Sequence, residues 1–224
     1  MGELNINPSM IKIPFLGGML ISETIVVTWL VMAILIIFSC FVRFFLLKSF
    51  KEIPSGIQNI IEFSIESIEK FSRGILGETG GDIAPYVFTL AVFIIFSGFI
   101  ELLGLRAPTA DLSMTATLAI ITLLLINYFA IRHKGLMGRI KDFGKPVFFI
   151  APIKVLVELA LPVSLSCRLF GNMLGGLIVM DLLYMVVPIG IPAFISIYFN
   201  VFHALIQTFV FILLSLTFIK EAVE

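Results

Sequence analysis

The sequence predicts an all-α, polytopic membrane protein with about five transmembrane helices, one amphipathic interfacial helix, and a last pair of helices that are long and tilted. Two observations carry most of that expectation. Of the 224 residues, 59% are apolar and only 13% are charged, and the mean hydropathy is +1.12. A water-soluble domain of this length leaves about a third of its surface exposed and needs more charge to cover it. The third observation is the distribution: the charges collect between long uncharged runs, and a helix needs about 20 apolar residues to cross a bilayer.

The elements follow in order. The first 22 residues carry no basic segment leading into a short apolar core, so no cleaved signal is expected. Thr24 to Val42 is uncharged and closed by Arg43, Lys48 and Lys51, giving a span over 23–47. Residues 53–76 repeat Ile57, Ile60, Ile61, Ile65 and Ile68 at helical spacing, with Glu62, Glu66, Glu69 and Lys70 elsewhere. That pattern describes an amphipathic helix on a membrane surface, or else a solvated connecting helix. Further uncharged runs predict spans over 83–104, ending near Glu101, and 112–131, ending at Arg132.

Beyond residue 147 the chain stays apolar but carries Glu158, Arg168 and Asp181. Leu182 to Ile219 then holds no formal charge, a run of about 57 Å as helix, nearly twice the hydrocarbon core. Pro188 and Pro192 mark the break. Two long helices, 150–187 and 192–220, are therefore expected within a single domain covering the whole chain.

Loop charge predicts orientation. Arg132, Lys134, Arg139, Lys141 and Lys145 follow the third span, and Arg43, Lys48 and Lys51 follow the first. The connection at 101–111 holds Arg106 alone. The positive-inside rule places the N-terminus outside and the C-terminus in the cytoplasm. The 15 basic residues balance the 15 acidic ones, which gives no sign of a nucleic-acid partner. Cys40 and Cys167 lie in apolar runs and read as small hydrophobes. No metal-ligating cluster, phosphate loop or nucleophilic triad is present in the sequence, and no cofactor is expected.

Arg168 is the residue that demands explanation. A charge at the bilayer centre costs roughly 2.5 to 3.5 kcal/mol on insertion scales, and a guanidinium cannot shed its proton. Ser164, Asn172 and Gly175 stand at i−4, i+4 and i+7 from Arg168, and Gly171 and Gly176 lie beside this face. Such a stripe of small residues admits a close-packed neighbouring helix. The other reading makes Arg168 a structural partner of Glu158, ten residues back. Gln207 and His203 share a face of the last helix with Asn200 nearby. Each could be an interhelical hydrogen-bonding group, and Asp111, Glu101 and Asp181 could simply be hydrated.

The stretch PVSLSCRLFGNMLGG, followed by LIQTFVFILLSLTFI and preceded by ELLGLRAPTADLSMT, resembles subunit a of the F-type ATP synthases, over essentially the whole chain. The outer loop of that family reads near NLLGLxPxxxPTADLNVT. The resemblance implies a bacterial plasma-membrane stator facing a rotating c-ring and held by the peripheral stalk subunit b. It would carry no bond chemistry itself and would pass protons, or sodium ions, through two half-channels in the lipid bilayer. It makes Arg168 the essential stator charge, and Asn172, Gln207, Asp111, Glu158, Asn200 and His203 candidates for the ion pathway. Ser164, Gly171 and Gly175 become the ring-packing face.

The chain departs from the family pattern in places: Leu177 stands where some members have glutamate, Asn200 where many have histidine or glutamate, Lys154 where many have glutamate, and Glu101 where asparagine is usual. A guanidinium could also hold Gln207 or a carboxylate in its planar fork. A small secondary transporter, expected to show internal repeats, and a respiratory-complex membrane subunit are the other classes such a sequence could serve.

Overall fold

The computed structural model describes residues 10–12, 20–50, 56–103, 105–143, 151–186 and 191–223. Short strands β1 (Met10–Lys12) and β2 (Leu20–Ser22) precede six helices: α1 (Glu23–Phe41), α2 (Ile57–Leu76), α3 (Thr79–Glu101), α4 (Leu112–Phe143), α5 (Ala151–Val186) and α6 (Ile191–Val223). Among the described residues the strands are the one departure from an all-α chain. They pair antiparallel, Met10 opposite Ser22 and Lys12 opposite Leu20, so that backbone groups ahead of α1 find partners outside any helix. A π-helical turn, Val42–Leu46, prolongs α1.

Among the described residues four helical stretches are long and apolar enough to cross a membrane: Glu23–Leu46, Thr79–Glu101, Leu112–Arg139 and Val201–Val223. α5 is as long as any of them, at 36 residues. Along its length it carries Lys154, Glu158, Arg168 and Asn172.

The sequence placed a basic loop after residue 131, but the helix continues to Phe143 and breaks at Gly135, where φ is 72°. Only glycine adopts that conformation without a Cβ penalty. Beyond it Arg139 reaches back to Asn127 at 3.3 Å. Twelve residues of straight helix would hold the two about 18 Å apart, so the chain doubles back.

The core lies where α3, α4 and α6 meet. Ile83, Val87 and Ala91 of α3 pack with Ile126, Phe129 and Ala130 of α4 and with Ile212, Leu216 and Ile219 of α6. A second cluster adds α5, through Leu165 and Leu169, to Leu90, Ile94, Ala119 and Phe211. α1 touches this bundle along one stripe of buried residues, Thr24, Val27, Thr28 and Val31, the spacing of a single helical face.

α2 begins at Ile57, and the predicted start at 53 lies outside the described residues. It packs on α3 and α6, with Ile68, Phe71 and Ile75 against the core. The isoleucines expected on one face are divided: Ile60 and its neighbour Phe63 remain 66% and 69% exposed. Gly80 lets α3 start directly against the Ser72 carbonyl, where a Cβ would collide.

Candidate functional site

α5 has two unlike faces. Leu165, Leu169 and Met173 are buried in the bundle, and Ser166 meets Thr115 of α4 at 3.2 Å. The opposite face carries Ser164, Arg168, Gly171 and Gly175, all exposed. Of the residues that periodicity sets on one face with Arg168, Ser164 and Gly175 are exposed with it, whereas Asn172 is part-buried and turned toward α6. A Cβ at Gly171 or Gly175 would meet nothing within 4 Å among the described residues, so none of these requires glycine at either position. Among the described residues Arg168 has no hydrogen-bond or ion-pair partner. The structure therefore removes the Glu158 alternative: Glu158 accepts from Arg139 Nη2 at 2.6 Å instead.

Behind the exposed face, α5 and α6 are joined by a polar contact. The Asn172 amide donates to Gln207 Oε1, and Gln207 is 3% exposed. Among the described residues its Nε2 has no partner, and neither does His203 Nε2 one turn earlier. Both are buried donors or acceptors of the sort that water or an approaching group normally satisfies. Gln207 is thus held by Asn172 and not by the Arg168 fork. The side chains of Asn200 and Asp181 lie outside the described residues.

Asp111 sits at the other end of α4 and is only half-buried. Its Oδ1 caps the helix, accepting from the Ser113 amide at 3.0 Å and the Ser113 hydroxyl at 2.6 Å. Thr24 donates to Oδ2 at 2.8 Å, which pins the start of α1 to the start of α4. Burial pushes the carboxyl up, but the hydrogen bonds from Ser113 and Thr24 and the charge of Arg106 outweigh it and leave the pKa below the usual range. Glu101 makes no hydrogen bond or ion pair among the described residues.

The sequence did not show the Arg139–Glu158 pair. Both side chains are largely covered, at 14% and 18% exposed, although Arg139 counts as a loop charge by position. Asn127, a lone amide in an otherwise apolar span, was the signal available.

These elements define a multi-pass helical membrane protein with a polar seam between α5 and α6 and an arginine on its open side. A model of the ATP synthase A chain family matches residues 25–220. ATP synthase subunit a of Moorella thermoacetica is 38% identical over 217 residues, 96% of each chain. The subunits a of Trichlorobacter lovleyi and Geobacter sulfurreducens are each 34% identical over 208 residues, 91% of this chain and 88% of theirs. The chain belongs to the ATP synthase A chain family, and its function is that of the membrane stator subunit of an F-type ATP synthase.

Proposed function

We propose that this chain carries ions to and from a rotating c-ring across the exposed face of α5, with Arg168 as the fixed charge between two half-channels. The observation that carries this reading is Arg168 itself: a permanent cation among Ser164, Gly171 and Gly175, exposed and without a partner among the described residues. A ring carboxylate facing lipid must hold its ion, because a bare charge there is prohibitive. Brought within about 4 to 6 Å of a guanidinium, it can release that ion. The same cation repels ions that would pass straight from one half-channel to the other, so flow requires rotation.

In this reading the small residues receive the ring. The Asn172–Gln207 pair keeps α5 and α6 in register behind Arg168. His203 and Asn200 belong to one approach with Asp111 at its edge, and Glu158 belongs to the other. α5 is also a span, the fourth of five in chain order. The N-terminus lies outside and the C-terminus in the cytoplasm of a bacterial plasma membrane, and α2 rests its exposed Ile60 and Phe63 on the inner lipid surface. Subunit b is the further partner, and the ion is the proton, as the commoner case, with sodium the alternative. Sodium dependence of ATP hydrolysis by the purified complex at near-neutral pH tests the choice of ion.

The test of the central reading is ATP-driven pumping by the reconstituted complex carrying Arg168→Ala or Arg168→Lys. Both are expected to assemble and neither to couple. Pumping by the alanine variant at the wild-type rate would reject the reading.

A further inference from the structure

Ser166 stands two residues before Arg168, and two residues of helix turn the side-chain direction through about 200°. The two side chains therefore leave α5 on nearly opposite sides. Arg168 is exposed, whereas Ser166 is buried against α4. There its hydroxyl lies 3.2 Å from that of Thr115, which is also buried. Thr115 donates to the Leu112 carbonyl at 3.1 Å. A hydroxyl has one proton to give, so Ser166 is the donor of the pair and Thr115 its acceptor.

The far end of this link is itself held. Thr115 lies in the first turn of α4, where its amide donates to the Asp111 carbonyl at 3.1 Å. The Asp111 carboxylate caps α4 and accepts from Thr24 of α1. Hydrogen bonds thus run from the starts of α1 and α4 to the back of α5, beside Arg168. The apolar neighbours of Ser166, Leu165 and Leu169, pack in the cluster that includes Ala119 and Phe211. Apolar contact has no preferred direction and lets a helix turn slightly about its axis. A hydrogen bond is specific in distance and angle. Close packing alone does not call for serine here, since alanine is as small and buries no hydroxyl.

The position of Arg168 is sensitive to such a turn. With side chains a helix has a radius of about 6 Å, so a rotation of about 10° carries a side-chain tip through about 1 Å. A misplacement of that size can cost about 100-fold where two groups must meet.

We propose that Ser166 and Thr115 are a positioning pair, whose hydrogen bond fixes the rotation of α5 about its axis and so the direction in which Arg168 meets the c-ring. The inference rests on the reading of Arg168 as the fixed stator charge. Asn172 and Gln207 tie α5 to α6, and Ser166 and Thr115 tie it to α4 at the same level.

The experiment measures ions pumped per ATP hydrolysed by the reconstituted complex, with the amount of subunit assembled and the unfolding midpoint recorded beside it. Ser166→Ala and Thr115→Val each remove one hydroxyl and should lower the pumping ratio about fivefold in complexes that assemble normally. Ser166→Ala leaves Thr115 its bond to Leu112, so the midpoint should stay close to wild type. Thr115→Ser keeps the hydroxyl and should pump normally. A packing role predicts the opposite order at Thr115, because valine keeps the shape of threonine and serine does not. The double variant Ser166→Ala/Thr115→Val should be no worse than the more impaired single one, because the same interaction is lost only once. A wild-type ratio in Ser166→Ala, additive losses in the double variant, or a Thr115→Ser variant worse than Thr115→Val would overturn the proposal. So would a loss of assembled complex with normal pumping in what remains. Arg168→Ala measured alongside keeps two failures apart. Pumping by Arg168→Ala would remove the reading on which the pair's role rests, whereas an inactive Arg168→Ala with a normal Ser166→Ala overturns the pair's role alone.

Discussion

Two arginines in this chain meet opposite fates. Arg139 is folded back past Gly135, 14% exposed, with Glu158 at 2.6 Å and Asn127 at 3.3 Å. Arg168 stands on the open face of α5 with small residues around it and no partner among the described residues. A charge removed from water is tolerated when a counter-charge and hydrogen bonds compensate it, and Arg139 has both. No described residue compensates Arg168, and in the proposed reading its counter-charge comes from the c-ring. The comparison separates an arginine that serves the fold from one left available to a partner.

Substitution at each site should widen that contrast. The largest functional effect is expected at Arg168. Arg168→Ala should abolish ATP synthesis and ATP-driven pumping while the complex still forms, and passive ion leak should rise. Arg168→Lys should be severely impaired too, because the ammonium lacks the planar fork and can lose its proton in a dry site. Normal pumping by the lysine variant would show that charge alone, without guanidinium geometry, is sufficient.

Arg139→Ala should do the reverse, with the loss appearing in stability before coupling. Leaving Glu158 buried without its cation costs about 3 to 5 kcal/mol, read as a lower unfolding midpoint and less subunit in the membrane. Replacing both partners by apolar residues of similar volume should recover most of that loss. A double variant as unstable as the single one would mean that Arg139 contributes something besides its pairing.

Between these extremes lies the seam behind Arg168. Gln207→Ala removes the acceptor for Asn172 and leaves its amide without a partner, a cost of about 1 to 3 kcal/mol. Coupling should fall well below the wild-type rate without reaching the Arg168→Ala level, because the cation remains but α5 and α6 lose a shared contact. Unchanged pumping would remove Gln207 from the working site.

The smallest effect is expected at Asp111, where loss of the cap in Asp111→Ala should cost roughly 1 kcal/mol. Its carboxyl pKa is lowered in the fold. The stabilisation it gives is thus fully present above the ordinary aspartate range and is lost as pH falls through the depressed value. Unfolding midpoints of wild type and Asp111→Ala should therefore differ at neutral pH and converge in acid. A difference that stayed constant into strong acid would show that the carboxylate is not the stabilising form.

How much of this could be read from the chain depends on the range of the forces involved. Long apolar runs determine spans by themselves, because a bilayer leaves a backbone no choice but to form helix. The helices α3, α5 and α6 accordingly begin and end within four residues of the apolar runs, while α1 ends at Phe41, six residues short of the expected 47. The common exposure of Ser164, Arg168 and Gly175 was legible for the same reason, since helical periodicity is local, but the turn of Asn172 toward α6 was not. The β1–β2 pair and the continuation of α4 past residue 131 were not legible. Both depend on partners distant in sequence.

The sequence by itself determined that this is a helical membrane protein of the ATP synthase A chain family, with one guanidinium that its own composition cannot excuse. Only the tertiary structure decided which charges pair. Arg139 finds Glu158 because Gly135 turns the chain back. Gln207 finds Asn172 because α5 and α6 pack side by side, and Asp111 finds Thr24 because α1 starts beside α4. Hydropathy is a sum over neighbours along the chain, whereas a salt bridge or a side-chain hydrogen bond is fixed by a distance of a few ångströms between residues that the chain may bring together from anywhere.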